Sequence, residues 1–178
     1  GSGGVGMAAI NICQSRGIEF ITTCSDPKRE YLKKLFNIRD DQIGNSRNKD
    51  FKDTVMKYTN NRGVDVVLNS LAGDLQYCSI ECLAPGGQFC EIGKYDIMNN
   101  TGLHQRLLEK NISFHCIDLL PLLSDSTYTK LWDNLLKEGF DKNEIKPLPY
   151  KIFNEEQIVE SFRFMSQGRH RGKILIDF

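Results

Sequence analysis

Short runs of β-branched and aromatic residues alternate along the chain with longer stretches in which apolar residues recur at helical spacing. The short runs predict strands at residues 18–23, 64–68, 88–92, 112–119 and 173–178. The longer stretches predict helices after residue 6 and at residues 26–36, 50–59, 74–83, 103–109, 128–139 and 154–167. Such alternation is typical of right-handed crossovers onto a parallel sheet. It predicts a doubly wound α/β fold with helices on both faces of the sheet.

Glycine, proline and capping residues indicate where these elements end. Gly17 is placed to end the first helix, because glycine adopts the left-handed conformation at low cost. Asp26 is the expected N-cap of the second helix, with Pro27 at its first position. Pro85–Gly87 is expected to turn the chain before the next strand. Val64–Leu68 is the clearest candidate for a buried strand in the sequence.

The final part of the chain has a different pattern. Pro147 and Pro149 interrupt the segment that leads to a helix capped by Asn154, and Gly168 is expected to end that helix. A terminal strand follows. This part is therefore expected to return the chain toward another domain.

The chain begins with a glycine-rich segment, Gly1-Ser2-Gly3-Gly4-Val5-Gly6, that runs directly into a helical pattern. Its spacing matches G-x-G-x-x-G, the loop that holds a dinucleotide pyrophosphate at a helix N-terminus in Rossmann folds. A simple tight turn is the alternative. Because this loop should follow the central first strand, we expect that strand to be missing and the sequence to be a fragment of a longer polypeptide.

The end of the strand at 18–23 is where such sites distinguish NAD from NADP. Thr22–Ser25 supplies hydroxyl groups, and Lys28 and Arg29 follow in the first helical turn. Asp26 is better explained as a helix cap than as a ribose ligand. This arrangement favours the 2′-phosphate of NADP, although a solvated helix face is the alternative for the two cations. Arg47 suits a phosphate through its planar fork, with a surface role as its alternative.

Composition argues against several kinds of partner. The 23 Lys and Arg residues balance 23 Asp and Glu residues, so no net field attracts nucleic acid or an anionic membrane. No apolar run approaches the roughly 18 residues of a membrane span, and no signal peptide precedes the glycine loop. We therefore expect a soluble cytoplasmic protein.

The six cysteines form no C-x-x-C pair. Cys78 and Cys82 are spaced to lie on one face of a helix, where they are expected to pack as small apolar residues. We expect no metal site.

Four segments resemble the enoyl reductase domain of animal-type fatty acid synthases and reducing polyketide synthases: residues 1–6, Asn69–Leu71, Glu91–Asp96 and Gly168–Lys173. These domains belong to the zinc-free branch of the medium-chain dehydrogenase/reductase family. The resemblance covers nearly the whole chain. It implies that NADPH reduces the 2,3 double bond of an enoyl thioester on acyl carrier protein, with hydride added at the β-carbon and a proton at the α-carbon.

The resemblance also implies roles for matching residues. Lys94 matches the family's proposed proton donor, and Asp118 matches the carboxylate that partners it. Asp118 follows the polyketide synthase pattern, whereas fatty acid synthases tend to carry the acid two residues later, where this chain has Leu120. Without the resemblance, Lys94 reads as a solvated lysine and Asp118 as a helix cap. The implied cofactor-binding residues are Gly1, Gly3, Gly4, Val5, Gly6, Thr23, Ser25, Lys28, Arg47, Asn69, Ser70 and Gly93.

The family joins its NADP(H)-binding domain to a substrate-binding domain. We therefore expect residues 1–142 to form the cofactor domain and residues 143–178 to be the return segment of the substrate domain. The resemblance further implies other synthase domains in the same polypeptide and a homodimer. Two other functions stay open: a stand-alone NADPH-dependent quinone or enone reductase, and a non-catalytic dinucleotide-binding module.

Overall fold

The computed structural model of the protein describes residues 1–168 and 170–178. Its strands are β1 Thr22–Cys24, β2 Ile43–Asn45, β3 Val64–Asn69, β4 Leu83–Glu91, β5 Ser113–Cys116, β6 Tyr150–Asn154 and β7 Lys173–Asp177. Its α-helices are α1 Gly4–Ser15, α2 Asp26–Phe36, α3 Phe51–Tyr58, α4 Asp74–Glu81, α5 Tyr95–Met98, α6 Leu119–Ser124, α7 Ser126–Asp141 and α8 Ile158–Ser166. Short 3₁₀ helices cover Asp40–Gln42, Gln105–Leu108 and Glu155–Gln157.

The chain divides into two compact units, one made of residues 1–38 and 132–178 and the other of residues 39–131. The predicted domain boundary after residue 142 stays a prediction. Across the described ranges, no helix is both long enough and apolar enough to cross a membrane.

Three parallel strands form the sheet of the unit at residues 39–131. β4 lies in the centre and pairs in parallel with β3 on one side and β5 on the other. Helix α4 lies between β3 and β4 in the chain, as a parallel connection requires. The predicted α/β fold with parallel strands is confirmed.

The core of this unit is built around Ile80, Leu83 and Phe89, which are fully buried. Val64 and Val67 of β3 pack against this cluster. Val66 and Leu68 are instead 58% and 49% exposed, so the expectation that Val64–Leu68 is a buried strand was wrong. β3 lies at the edge of the three-stranded sheet, where the side chains of Val66 and Leu68 are exposed.

Pro85–Gly87 does not end a strand, because β4 continues through it. Val64 lies opposite Leu83 while Val66 lies opposite Gln88, so extra residues bulge out of β4 between these two pairs. Gly86 has a φ of 76°, and its N–H donates to the carbonyl of Lys110 at 2.8 Å. The predicted turn is therefore a bulge inside a longer strand.

Cysteines 78 and 82 pack as predicted. Both are buried at the end of α4, and the Cys82 thiol donates to the carbonyl of Cys78 at 3.2 Å. Burial raises the pKa of Cys82 to about 12, so this thiol stays protonated at physiological pH.

In the other unit, the helix ends largely follow the sequence signals. α1 ends before Gly17, which has a φ of 62°. The N-cap of α2 is Ser25 rather than Asp26, because the carbonyl of Ser25 already accepts from the N–H of Lys28 at 2.9 Å. That expectation was wrong by one residue, and Pro27 is the second helical residue.

A two-stranded parallel sheet of β6 and β7 forms the end of the chain. β7 was predicted, but β6 was not, because it begins immediately after the segment that Pro147 and Pro149 interrupt. Asn154 caps the following helical turn, accepting from the N–H of Gln157 at 3.1 Å. Gly168 lies after α8 with a φ of 62°. The predicted capping and stop residues are confirmed.

We expect Leu83→Ala to lower the free energy of unfolding by about 2–5 kcal/mol, because Leu83 is fully buried and its loss leaves a cavity. Leu123→Ala is the matched control, since Leu123 is 55% exposed on a helix surface and should cost less than about 1 kcal/mol. Urea unfolding of both variants measures the difference. Equal losses would contradict the described core.

Candidate active site

The strands β3, β4 and β5 end level with one another. Glu91 lies opposite Asn69 on one side and opposite Cys116 on the other. Because the strands are parallel, the residues that follow them leave the sheet at the same carboxyl edge, where α/β proteins place their ligand sites. This edge carries Ser70, Lys94 and Asp118.

Lys94 and Asp118 meet at this edge. The Lys94 Nζ donates a hydrogen bond of 2.8 Å to Asp118 Oδ1, and the two side chains are 46% and 47% exposed. Asp118 also caps α6, since the same oxygen accepts from the N–H of Leu120 at 3.1 Å. The cap and the ion pair are therefore both present. Helix α6 was not predicted, because the expected strand at 112–119 ends early, at Cys116.

The hydrogen bond from the Lys94 ammonium holds the pKa of Asp118 below its ordinary value of 3.8, and the N–H of Leu120 adds to this effect. Asp118 is therefore an anion at neutral pH, next to an ammonium. An ion pair this exposed to water contributes little to folding. Stability alone does not account for its placement.

Large apolar side chains flank the pair in the chain. Tyr95 and Met98 follow Lys94 in α5, and Leu119 and Leu120 follow Asp118 at the start of α6. All four are exposed. This edge of the unit therefore combines one ion pair with an apolar surface.

The loop after β3 is held by its own polar groups. Asn69 is buried, and its amide nitrogen donates to the carbonyl of Leu71 at 2.7 Å and to Glu91 Oε2 at 2.6 Å. Ser70 is exposed. A Cβ on Gly93 would stand 2.7 Å from Glu91 Oε1 and 3.3 Å from the Cα of Ser70, so only glycine fits there without displacement. No role was assigned to Glu91 from the sequence, although it lies in a segment that carries the resemblance.

The glycine loop belongs to the other unit. Gly3 caps α1, and its carbonyl accepts from the N–H of Met7 at 2.9 Å. A Cβ on Gly6 would stand 2.6 Å from the Cα of Gly1, so this glycine permits the close approach of helix and loop. A Cβ on Gly3 would meet nothing within 4 Å, which leaves that side of the loop open, and Val5 is exposed. The open side and the first-turn amides of α1 fit a pyrophosphate.

A lysine without a predicted role lies beside this loop. A Cβ on Gly4 would stand 2.9 Å from the Nζ of Lys173. The chain is brought there by a parallel bridge between Gly3 and Gly172. Lys173 therefore adds a cation to the start of α1, where an anion is already favoured.

The residues expected near a 2′-phosphate are divided between the units. Thr23 is half-buried and its carbonyl accepts from the nitrogen of Gly1, while Ser25 is half-buried at the start of α2. The Lys28 Nζ donates to the carbonyls of Gly168 and His170 at 2.6 and 2.8 Å, so it also fastens the loop before β7. Arg47, in the other unit, is exposed. Phosphate contacts by these residues stay predictions.

Comparison with known proteins identifies similar chains. Residues 40–176 match the zinc-binding dehydrogenase family. The chain is 41% identical over 177 residues to the highly reducing polyketide synthase gloL of Glarea lozoyensis. The aligned region covers 98% of this chain but 7% of that protein. It therefore spans a small part of the synthases that it resembles.

Solved structures give the same picture. The CurF ER cyclopropanase from the curacin A biosynthetic pathway superposes with a TM-score of 0.85 at 34% identity, covering 99% of this chain and 52% of that one. The nucleotide-binding subdomain of the enoylreductase domain of PpsC from Mycobacterium tuberculosis superposes with a TM-score of 0.68 at 38% identity, covering 80% and 79%.

The name of the matching family refers to zinc. Over residues 1–168 and 170–178, no group of three or more His, Cys, Asp and Glu side chains could hold a metal ion. The donor set does not fit a zinc site, and the mechanism proposed for this chain uses no metal.

Replacing Lys94 with Met should raise the pKa of Asp118 toward 3.8, because the largest cause of its depression is the hydrogen bond from Lys94. Because the pKa of Asp118 is lowered in the folded state, the pair stabilises the fold above pH 3.8. This stabilisation is lost as the pH falls through the lowered pKa. The test is a pH titration of the side-chain carboxyl ¹³C shift. Asp65, whose pKa is lowered by Arg62, is the internal control and should not change.

Proposed function

The chain belongs to the zinc-binding dehydrogenase family, and we propose that it forms the cofactor-binding part of an NADPH-dependent enoyl reductase within a reducing polyketide synthase. The similarity to polyketide synthases, and to the enoylreductase domain of PpsC, supports this proposal. The similarity spans a small part of each synthase, so carrier-bound substrate, reaction and partners are all elements of the proposal.

The observation that carries the proposal is the Lys94–Asp118 pair at the carboxyl edge of β4 and β5. Reduction of an enoyl thioester needs a proton at the α-carbon after hydride has been added at the β-carbon. The Lys94 ammonium holds such a proton in an exposed position, 2.8 Å from Asp118 Oδ1.

The reaction divides into two bond-forming events. Bound NADPH would supply the hydride that forms the new C–H bond at the β-carbon. The electron pair of the double bond moves toward the thioester carbonyl, and the Lys94 ammonium stabilises the developing negative charge. Lys94 Nζ then gives its proton to the α-carbon, which completes the saturated thioester and leaves a neutral amine beside Asp118.

We propose a cofactor contact for each of the following residues. The glycine loop and Lys173 would hold the pyrophosphate. Thr23, Ser25, Lys28 and Arg47 would hold the adenosine 2′-phosphate, and Asn69, Ser70 and Gly93 would border the nicotinamide half. Acyl carrier protein is the proposed substrate carrier, and the other domains of the synthase and a second copy of the chain are the proposed partners.

Lys94→Ala should lower kcat by about 10² or more with a crotonyl thioester, while NADPH still binds, because the variant lacks the proton donor. Asp118→Asn should cost about tenfold, since an amide oxygen can keep both hydrogen bonds and only the charge is lost. NADPH oxidation by the full-length protein, with NADPH binding measured in parallel, tests both. Product analysis distinguishes reduction from the ring closure implied by the name of the CurF relative.

The alternatives predict other results. Turnover of free quinones or enones in preference to carrier-bound thioesters would indicate a stand-alone reductase. Tight NADPH binding without turnover of any enoyl thioester would indicate a non-catalytic module, and the proposed enzyme would be rejected.

Lys173→Ala should weaken NADPH and NADH binding alike, by about tenfold, because both cofactors carry the pyrophosphate. Arg47→Ala should weaken NADPH by a similar factor and affect NADH much less, because only NADPH carries the 2′-phosphate. Fluorescence titration with each cofactor measures the four changes. Equal effects of the two variants on both cofactors would contradict these assignments.

A further inference from the structure

Glu91 is a buried carboxylate at the end of the central strand β4. It is 1% exposed. Its Oε2 accepts from the side-chain amides of Asn69 and Gln76 at 2.6 and 2.8 Å, and its Oε1 accepts from the backbone N–H of Gly93 at 2.5 Å. Both oxygens act only as acceptors, as those of a carboxylate do.

Burying a carboxylate is costly unless hydrogen bonds replace its water shell. Here all three donors are neutral, so the bonds to Asn69, Gln76 and Gly93 take the place that a cation would fill in an ion pair. A buried carboxylate whose two oxygens both accept hydrogen bonds has one favourable position. The Glu91 side chain therefore has a fixed position, and its hydrogen bonds hold the neighbouring loops in place.

The residues that Glu91 holds are next to Lys94 and Asp118 in the chain. Gly93, held by the side chain of Glu91, immediately precedes Lys94. The backbone carbonyl of Glu91 accepts from the N–H of Ile117 at 2.9 Å, and Ile117 immediately precedes Asp118. One residue thus holds the neighbour of each member of the pair.

The loop after β3 is fastened at the same point. The N–H of Ile92 donates to the carbonyl of Asn69 at 3.0 Å, and the Asn69 amide donates to Glu91. Movement of Glu91 would therefore disturb the backbone beside Lys94 together with the loop proposed to border the nicotinamide.

We propose that Glu91 is a positioning residue that acts through Lys94, setting where the proton donor stands relative to Asp118 and to the loop after β3. This inference rests on the proposed reductase function for its catalytic part. Its structural part, the anchoring of Gly93, is measurable without activity.

Glu91→Gln is the informative substitution because it keeps the size of the side chain. The N–H of Gly93 can only donate, and Asn69 cannot turn its amide over without losing its two bonds to Leu71. In either orientation of the new side chain, its NH₂ group takes the place of one carboxylate oxygen and faces a hydrogen-bond donor. The orientation that keeps the bonds from both Asn69 and Gln76 turns the new NH₂ group toward the N–H of Gly93, so the bond from Gly93 is the one that is lost.

Asp96→Asn is the matched control, since it makes the same carboxylate-to-amide change at another buried acid in this segment. Asp96 Oδ2 accepts from the N–H of Gly73 at 2.9 Å, and Oδ1 accepts from the hydroxyl of Thr101 at 2.8 Å. An amide can keep both bonds, because a hydroxyl can also accept. Asp96→Asn should therefore have little effect.

The kinetic test is a double-mutant cycle in the full-length protein with NADPH and a crotonyl thioester. Glu91→Gln should lower kcat by about tenfold or more when Lys94 is present, because small displacements of a reacting group are costly. In a Lys94→Ala background the same change should cost less than about twofold. A residue that merely stabilised the fold would lower kcat equally in both backgrounds, and that outcome would overturn the inference.

Amide hydrogen exchange provides the readout that needs no activity. Glu91→Gln should raise the exchange rate of the Gly93 amide by about tenfold, while the core strands keep their protection and Asp96→Asn leaves Gly93 unchanged. Unchanged exchange at Gly93 in Glu91→Gln would refute the anchoring. If wild type shows no turnover while Gly93 responds as expected, the proposed function fails and the anchoring stands.

Discussion

The level at which three parallel strands end is the constraint on which the candidate active site depends. Asn69, Glu91 and Cys116 lie opposite one another, so the loops that carry Lys94 and Asp118 leave the sheet together. A slip of one residue would send alternate side chains to the other face and separate the pair. The backbone hydrogen bonds of the sheet, rather than the attraction between two half-exposed charges, therefore set the geometry.

The two carboxylates at this edge, Glu91 and Asp118, differ in burial, and this difference suits them to different roles. Glu91 is buried among neutral donors, and it cannot release them without leaving an unsolvated charge. Asp118 is half-exposed beside an ammonium, and water can replace either partner at small cost. A fixed anchor needs the first environment, whereas the partner of a proposed proton donor needs the second, in which contact with water is kept.

Part of this arrangement was predictable from the sequence. Strand and helix spacing predicted the parallel sheet, whereas only the resemblance to enoyl reductase domains predicted that Lys94 and Asp118 form a pair. Glu91 was not identified because an acid at the end of a short strand looks like an ordinary solvent-facing residue. Its burial depends on Asn69 and Gln76, which lie 22 and 15 positions away in the chain. Lys173 was missed for the same reason, since only the bridge between Gly3 and Gly172 brings it to the glycine loop.

The apolar surface beside the pair has an evolutionary consequence. Tyr95, Met98, Leu119 and Leu120 are exposed, so exchanging their side chains removes little from the core and should cost little folding free energy. The backbone beneath them is held by the sheet and by the Asp118 cap. Descendants of one ancestral chain can therefore change these four side chains, and with them the shape of the surface beside Lys94 and Asp118, while the backbone that holds the pair stays the same.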